Sequence, residues 1–195
     1  MYTSILQNIS KHISLDKEEA DYFMGLIRFK EVPRKALILR EGQACNYLSY
    51  ILLGAFRVYY VDEHLREITV KFAIADSWVT DMHCFLNDKP ANLYIEAIDE
   101  SCIYQVSATN LEKLLHHVPK FERFFRILSQ YAYTREQFRN IENLSLSAEE
   151  RYNSFLETYP RITQVATQKQ IASYLGITPE FLSVLRKEKT LRRIS

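Results

Sequence analysis

The spacing of apolar residues divides the chain into three textures. Residues 14–30 set Leu15, Phe23, Leu26 and Ile27 among charges, which predicts a short helix opened by Ser14 or Asp16. From Val32 to Val106 the apolar positions gather into short runs rich in Tyr, Ile, Val and Phe, predicting strands over 36–39, 48–53, 56–61, 67–74, 93–97 and 102–106. Clear alternation in Phe56-Arg57-Val58-Tyr59-Tyr60 and again from Ile68 to Ile74, joined through Asp62-Glu63-His64, predicts a hairpin. Six short strands within about seventy-five residues predict a jelly roll or small barrel. Gly42 and Gly54 fall at strand junctions where a positive φ is needed and are read as turn residues.

Beyond Val106 the period lengthens to that of helices. Ser107 is placed to cap a helix over 108–117, and Pro119 opens a longer one reaching about Asn143, roughly 36 Å long. Its apolar positions Phe121, Phe124, Leu128, Tyr131 and Phe138 recur at three and four, flanked by Phe125, Ala132 and Ile141 and interrupted by Arg135. Such a stripe packs on its own domain or serves as a seam between two chains. Asn143 to Ser147 is a break rich in capping residues, followed by a helix over 148–158.

The stretch from Thr167 to Lys187 has the pattern of a helix-turn-helix. Thr167 and Gln170 have capping-box spacing, Ala172 allows close helix crossing, and Gly176 suits a left-handed turn. Thr178, Pro179 and Glu180 are suited to the cap, first position and positive dipole end of the second helix. Ile171, Leu175, Ile177, Leu182 and Leu185 form its inward side. A plain helical hairpin is the competing reading, and DNA binding the favoured one. Because DNA readers of this kind pair two half-sites through a dimer, the stripe Phe121, Phe124, Leu128, Tyr131 and Phe138 is assigned to a homodimer seam.

Charge sharpens this picture. Residues 1–144 carry 17 Lys/Arg against 19 Asp/Glu, whereas 145–195 carry 8 against 5. Arg186, Lys187, Lys189, Arg192 and Arg193 lie within or just after the second helix, where phosphates would be met. Base-edge contact is expected from Glu180, Ser183 and Val184 near its start, with Thr167, Gln168, Thr178 and Pro179 completing the DNA face. Cys45, Cys84 and Cys102 are odd in number and lack a CxxC, against a disulfide framework or structural zinc. No apolar run is long enough to span a membrane and no signal peptide is evident, so a cytoplasmic location is expected.

The order of roll, long helix and helix-turn-helix resembles the Crp/Fnr family of bacterial transcription regulators. The most specific stretches are Leu37 to Gln43 through Tyr50 to Tyr59, and Thr167 to Lys187. The resemblance implies an α+β fold: an N-terminal double-stranded β-helix (jelly roll), a long central dimerisation helix, and a C-terminal winged-helix-like helix-turn-helix. The wing is expected to be reduced or absent, since little sequence follows the second helix. The corresponding units are 1–118 for sensing, 119–143 for dimerisation and 144–195 for DNA binding. Double-stranded DNA, a second copy of the chain, a small-molecule effector and RNA polymerase are the partners implied.

Two departures from the family pattern matter. Relatives that bind cyclic AMP use a Gly-Glu pair for the ribose and an Arg-Ser or Arg-Thr pair for the cyclic phosphate. Here Thr80-Asp81 and Ala91-Asn92 stand in the aligned positions, a degenerate pocket without the Arg that grips phosphate, so cyclic AMP is not the expected effector. Asp81 is read either as an acceptor for a hydroxyl of some other ligand or, in the favoured reading, as solvated at a loop. Fnr-like relatives read bases with Glu-x-x-Ser-Arg, where this chain has Glu180-Phe181-Leu182-Ser183-Val184. Val184 cannot pair with guanine but suits a thymine methyl, which would favour an A·T-containing half-site.

Cofactors fare no better. The iron-sulfur sensors of the family need four cysteines, three near the N-terminus, and its haem sensor needs a Cys-x-His spacing that Met82-His83-Cys84-Phe85 lacks. His116 and His117 are helix neighbours pointing apart, and His12 and His64 have no evident partners. A cupin-like enzyme would need convergent histidines that the roll lacks, so neither enzyme activity nor a cofactor or metal is expected. The remaining alternative is a ligand-binding or interaction module whose helix-turn-helix has lost DNA activity.

Overall fold

The computed structural model of the protein describes residues 3–87 and 89–192. Two short helices come first, α1 (Thr3–Ser10) and α2 (Lys17–Leu26). Between the two candidate caps, Asp16 opens α2: it accepts from Glu19 N at 2.9 Å while the Glu19 carboxylate accepts from Asp16 N at 2.9 Å. The helix ends before Ile27, which the sequence had assigned to it. Ile27 instead starts β1 (Ile27–Val32), which pairs along its whole length with a later strand.

The roll continues through β2 (Leu37–Leu39), β3 (Tyr47–Leu53), β4 (Ala55–Val61), β5 (Glu67–Ile74), β6 (Trp78–Val79), the short helix α3 (Met82–Asn87), β7 (Tyr94–Ala97) and β8 (Ser101–Ser107). These strands form two four-stranded antiparallel sheets, in orders β1-β8-β3-β6 and β2-β7-β4-β5. The hairpin expected from alternation is β4–β5, with the Asp62 carboxylate accepting from His64 N and Arg66 N at 2.9 Å in its turn. Val32, Leu39, Ile51, Phe56, Ile95 and Ile103 fill the space between the sheets. Gly54 has φ +91, and a Cβ there would lie 2.6 Å from Glu100 O, so the β3–β4 junction admits only glycine without rearrangement.

Helix α4 (Ala108–His117) is capped by Ser107, and α5 (Lys120–Ser145) follows from Pro119. The first part of α5 corrects the expected seam. Phe121 and Phe124 are 0% exposed, packed with Ile5, Ile9, Phe23, Tyr50 and Leu114 of their own chain. Phe121 stacks on Phe23 at 5.1 Å between ring centroids, and Leu128 also borders this cluster. The covering layer comes from α1 and α2, whose apolar positions the sequence reading left without a partner. Further along the same helix the apolar side chains are open: Tyr131 is 64%, Phe138 68% and Ile141 57% exposed.

After the break at Leu146 come α6 (Ala148–Thr158), capped by Ser147, then α7 (Ile162–Val165), α8 (Gln168–Leu175) and α9 (Pro179–Arg192). These helices share a core with the roll: Ala55, Phe72 and Ile98 pack with Phe155, Tyr159, Ile171, Leu175 and Leu182. Among the described residues no helix is long and apolar enough to cross a membrane.

Candidate nucleic-acid interface and effector pocket

The α8–α9 unit is built by local rules. Thr167 and Gln170 form a reciprocal capping box, with Thr167 N donating to Gln170 Oε1 at 2.8 Å. Gly176 ends α8 in the left-handed conformation, φ +67, and Thr178 Oγ1 accepts from Phe181 N at 3.2 Å to open α9 after the turn. Ile171, Ala172, Leu175, Leu182 and Leu185 are buried between the helices. Inward packing of Leu182 and Leu185 fixes the rotation of α9 and leaves Glu180, Phe181, Ser183, Val184, Arg186 and Lys187 exposed.

Several expected DNA contacts have other duties here. The Gln168 amide donates to Pro179 O at 2.9 Å and contacts Ser183 Oγ, so it braces α9 from α8. The hydroxyls of Thr167 and Thr178 are spent on caps, and Pro179 is half-buried. Lys189 corrects the expectation of a phosphate contact: it belongs to α9, donates to Asn153 Oδ1, and sits 5.8 Å from the Tyr152 ring centroid. Arg192 is the last described residue, the end of α9, and Arg193 lies outside the described residues. Phe181 is the exposed residue that sequence reasoning passed over; its place between Glu180 and Leu182 was the available signal.

The degenerate cassette is closed by its own side chains. Asp81 is not solvated but buried, accepting from Cys84 N at 3.1 Å and Asn92 N at 3.0 Å with its two carboxylate oxygens. It caps α3 and staples the segment after that helix, and its burial turns it away from any ribose. The signal for this was Asp followed three residues later by Cys84 at the start of a short helix. Ala91 is buried, its N–H donating to Gln43 O at 2.9 Å. Thr80 Oγ1 donates to Tyr47 O at 3.0 Å and touches Cys45 Sγ at 3.1 Å, and Asn92 is exposed.

A cavity of about 400 Å³ lies beside Thr80, bounded by Ile38, Cys45, Tyr47, Ser49 and Gln105, and every residue lining it is uncharged. Cys45, Cys84 and Cys102 are free thiols. Burial and the neighbouring Cys45 push the Cys84 thiol up, and its Sγ–H donates to Lys89 O at 2.7 Å. His83, next in sequence, is exposed, so the two do not converge. Among the described residues no three His, Cys, Asp or Glu side chains come together as a metal site.

Residues 29–117 match the family model of the cyclic nucleotide-binding domain. No curated protein is matched by sequence. Among solved structures the chain is similar to the c-di-GMP-responsive global regulator CLP of Xanthomonas campestris (14% identity, 91% of this chain and 93% of that one, TM-score 0.71). It is also similar to a protein of Eubacterium rectale assigned to the Crp/Fnr transcriptional regulators (16% identity, 91% and 85%, TM-score 0.72). FixK2 of Bradyrhizobium japonicum is a third (19% identity, 86% and 86%, TM-score 0.71). Residues 29–117 thus resemble a cyclic nucleotide-binding domain, and over most of its length the chain has the fold seen in the Crp/Fnr regulators.

Proposed function

We propose that the protein is a DNA-binding transcription regulator of the Crp/Fnr type, a homodimer reading a two-fold-related operator under a signal other than cyclic AMP. The observation that carries this reading is the exposed face of α9, held in a fixed rotation by Leu182 and Leu185. On it Glu180 accepts from a cytosine amino group, and Val184 and Phe181 meet thymine methyls. Arg186 and Lys187 meet phosphates, joined by Arg192 and Arg193. Ser183 reads bases after exchanging its Gln168 contact. Residues 1–118 then sense, the exposed latter part of the 119–143 helix pairs the chains, and 144–195 read DNA.

Pairing follows the exposed part of α5. Tyr131, Phe138 and Ile141 are seven and three apart, the spacing of a heptad seam, and large apolar exposure of this kind marks a protein contact. The uncharged lining of the cassette cavity supports a signal other than a cyclic nucleotide, whose phosphate needs a cation.

Fluorescence anisotropy of a labelled duplex pool across a salt series tests the reading. Binding should weaken steeply with salt, and Arg186→Ala or Lys187→Ala should each reduce the log–log slope by about 1. No binding at low salt, or a slope unmoved by both substitutions, would contradict it. It would favour a module that has lost DNA activity.

A further inference from the structure

A second cavity, of about 470 Å³, lies between β5, the latter half of α5, and helices α6 and α8. Its electrostatics are the reverse of the cassette's. Lys71, Arg135, Arg139 and Arg151 line it against two carboxylates, Glu136 and Glu142. Both carboxylates are already engaged, Glu136 with Arg139 at 3.7 Å and Glu142 as acceptor from Ser154 Oγ at 2.8 Å.

The cations are less well satisfied. Arg139 donates to Val70 O and Arg151 to Leu146 O, both neutral acceptors. Arg135 donates to Tyr159 Oη at 2.7 Å and forms no ion pair among the described residues. The Lys71 ammonium forms neither hydrogen bond nor ion pair among them. Burial pushes the Lys71 ammonium below the usual lysine range; Glu136 works against this and Arg135 adds to it. An ammonium largely withdrawn from water without a hydrogen-bonding partner is costly, and the cost is recovered when an anion arrives. The rest of the wall is mixed and includes the rings of Phe138, Tyr159 and Tyr174.

We propose that this interdomain cavity binds a small organic anion, a phosphate or carboxylate on a flat apolar body, whose charge meets Lys71 and Arg135 and whose body lies against Phe138 and Tyr174. Such a ligand touches the roll through Lys71, the long helix through Arg135 and the helix-turn-helix unit through Tyr174. It therefore fixes their relative positions. That it acts as the regulatory signal rests on the function proposed above; the site itself does not.

Calorimetry on the full chain with phenyl phosphate, benzoate and the neutral benzyl alcohol tests the site without DNA, so it can fail while DNA binding stands. One anion should bind at one per chain, benzyl alcohol should not, and Lys71→Gln and Arg135→Gln should each weaken the anion at least about tenfold. Tighter phenyl phosphate assigns a phosphate ligand; tighter benzoate assigns a carboxylate. Lys71→Met should raise the melting temperature of the ligand-free protein while removing anion binding, which a lysine with a merely structural role would not do. Should Lys71→Gln not fold, Arg135→Gln decides. No anion binding up to about 10 mM, unchanged affinity in the folded variants, or a lower melting temperature for Lys71→Met would overturn the proposal.

Discussion

Ser173 of α8 is bonded twice to the outer strand of the roll: its Oγ accepts from Thr69 N at 2.9 Å and donates to Glu67 O at 2.9 Å. β5 is the last strand of its sheet, and an edge strand exposes unpaired N–H and C=O groups. One serine hydroxyl therefore closes part of that edge and fastens the α8–α9 unit to the roll. Phe72 of the same strand stands 5.3 Å from the Tyr174 ring and 5.9 Å from the Phe155 ring, which extends the contact into a shared aromatic core.

Ser173→Ala should leave the Thr69 N–H without its partner in a buried position, costing about 1 to 2 kcal/mol. Hydrogen exchange at the Thr69 amide should accelerate while exchange within β3 and β8 stays unchanged. Equal acceleration throughout the roll would mean that the contact supports the whole fold rather than the docking of α8.

Phe138→Asp with Ile141→Asp should give folded monomers in sedimentation, because both side chains are open in the single chain. Phe121→Asp or Phe124→Asp should instead unfold the N-terminal cluster, since each puts a charge among fully buried aromatics. A dimer that survives the Phe138/Ile141 change would move the seam elsewhere.

Cyclic AMP should show no heat of binding in calorimetry. Placing an arginine there with Ala91→Arg should not create affinity, because position 91 is buried and Asp81 is buried against the Cys84 and Asn92 amides. It should also lower stability by about 3 kcal/mol or more, as a guanidinium is forced into a buried alanine site. Micromolar cyclic AMP binding by either protein would overturn this account of the cassette.

The helix-turn-helix was legible because its determinants are local: Thr167, Gln170, Gly176 and Thr178 each act within a few residues, and each has the expected cap or turn geometry. The β4–β5 hairpin was legible through alternation for the same reason. The stripe on α5 was not, because periodicity says that Phe121 and Phe124 are covered but not by what, and the cover lies more than a hundred residues away in Ile5 and Ile9. Asp81 was misread as solvated because its partner Asn92 approaches only after α3 folds back. Lys189 was assigned to phosphate because charge shows attraction to DNA but not a competing acceptor such as Asn153.

Asp76 gives the fold an acid-sensitive tie. Burial opposes ionisation, but Lys11 Nζ at 2.5 Å, Asn8 Nδ2 at 2.9 Å and Tyr50 Oη at 2.9 Å outweigh it and lower the carboxyl below its ordinary 3.8. Tyr50 is in turn pushed up to about 12, by burial first and by Asp76 next. A lowered folded value means that this stability is full above the ordinary aspartate range and is lost as pH falls through the folded value. Asp76→Asn should lower stability near neutrality by about 1 kcal/mol, a modest figure because the ion pair is half-exposed. The variant should also have a flatter melting-temperature profile between about pH 4 and pH 2. Parallel profiles for the two proteins would remove Asp76 from the acid limb.

The central claim is that α9 reads DNA from a two-fold dimer, and selection of duplexes from a random pool by the purified full chain, followed by sequencing of the bound fraction, tests it most directly. The account predicts two inverted half-sites about one helical turn apart, or a multiple of it. Selection with Glu180→Ala should relax one base pair in each half-site by about 1 to 3 kcal/mol and leave the others intact. A bound fraction with no enriched sequence, or one identical for the wild-type and Glu180→Ala chains, would contradict it.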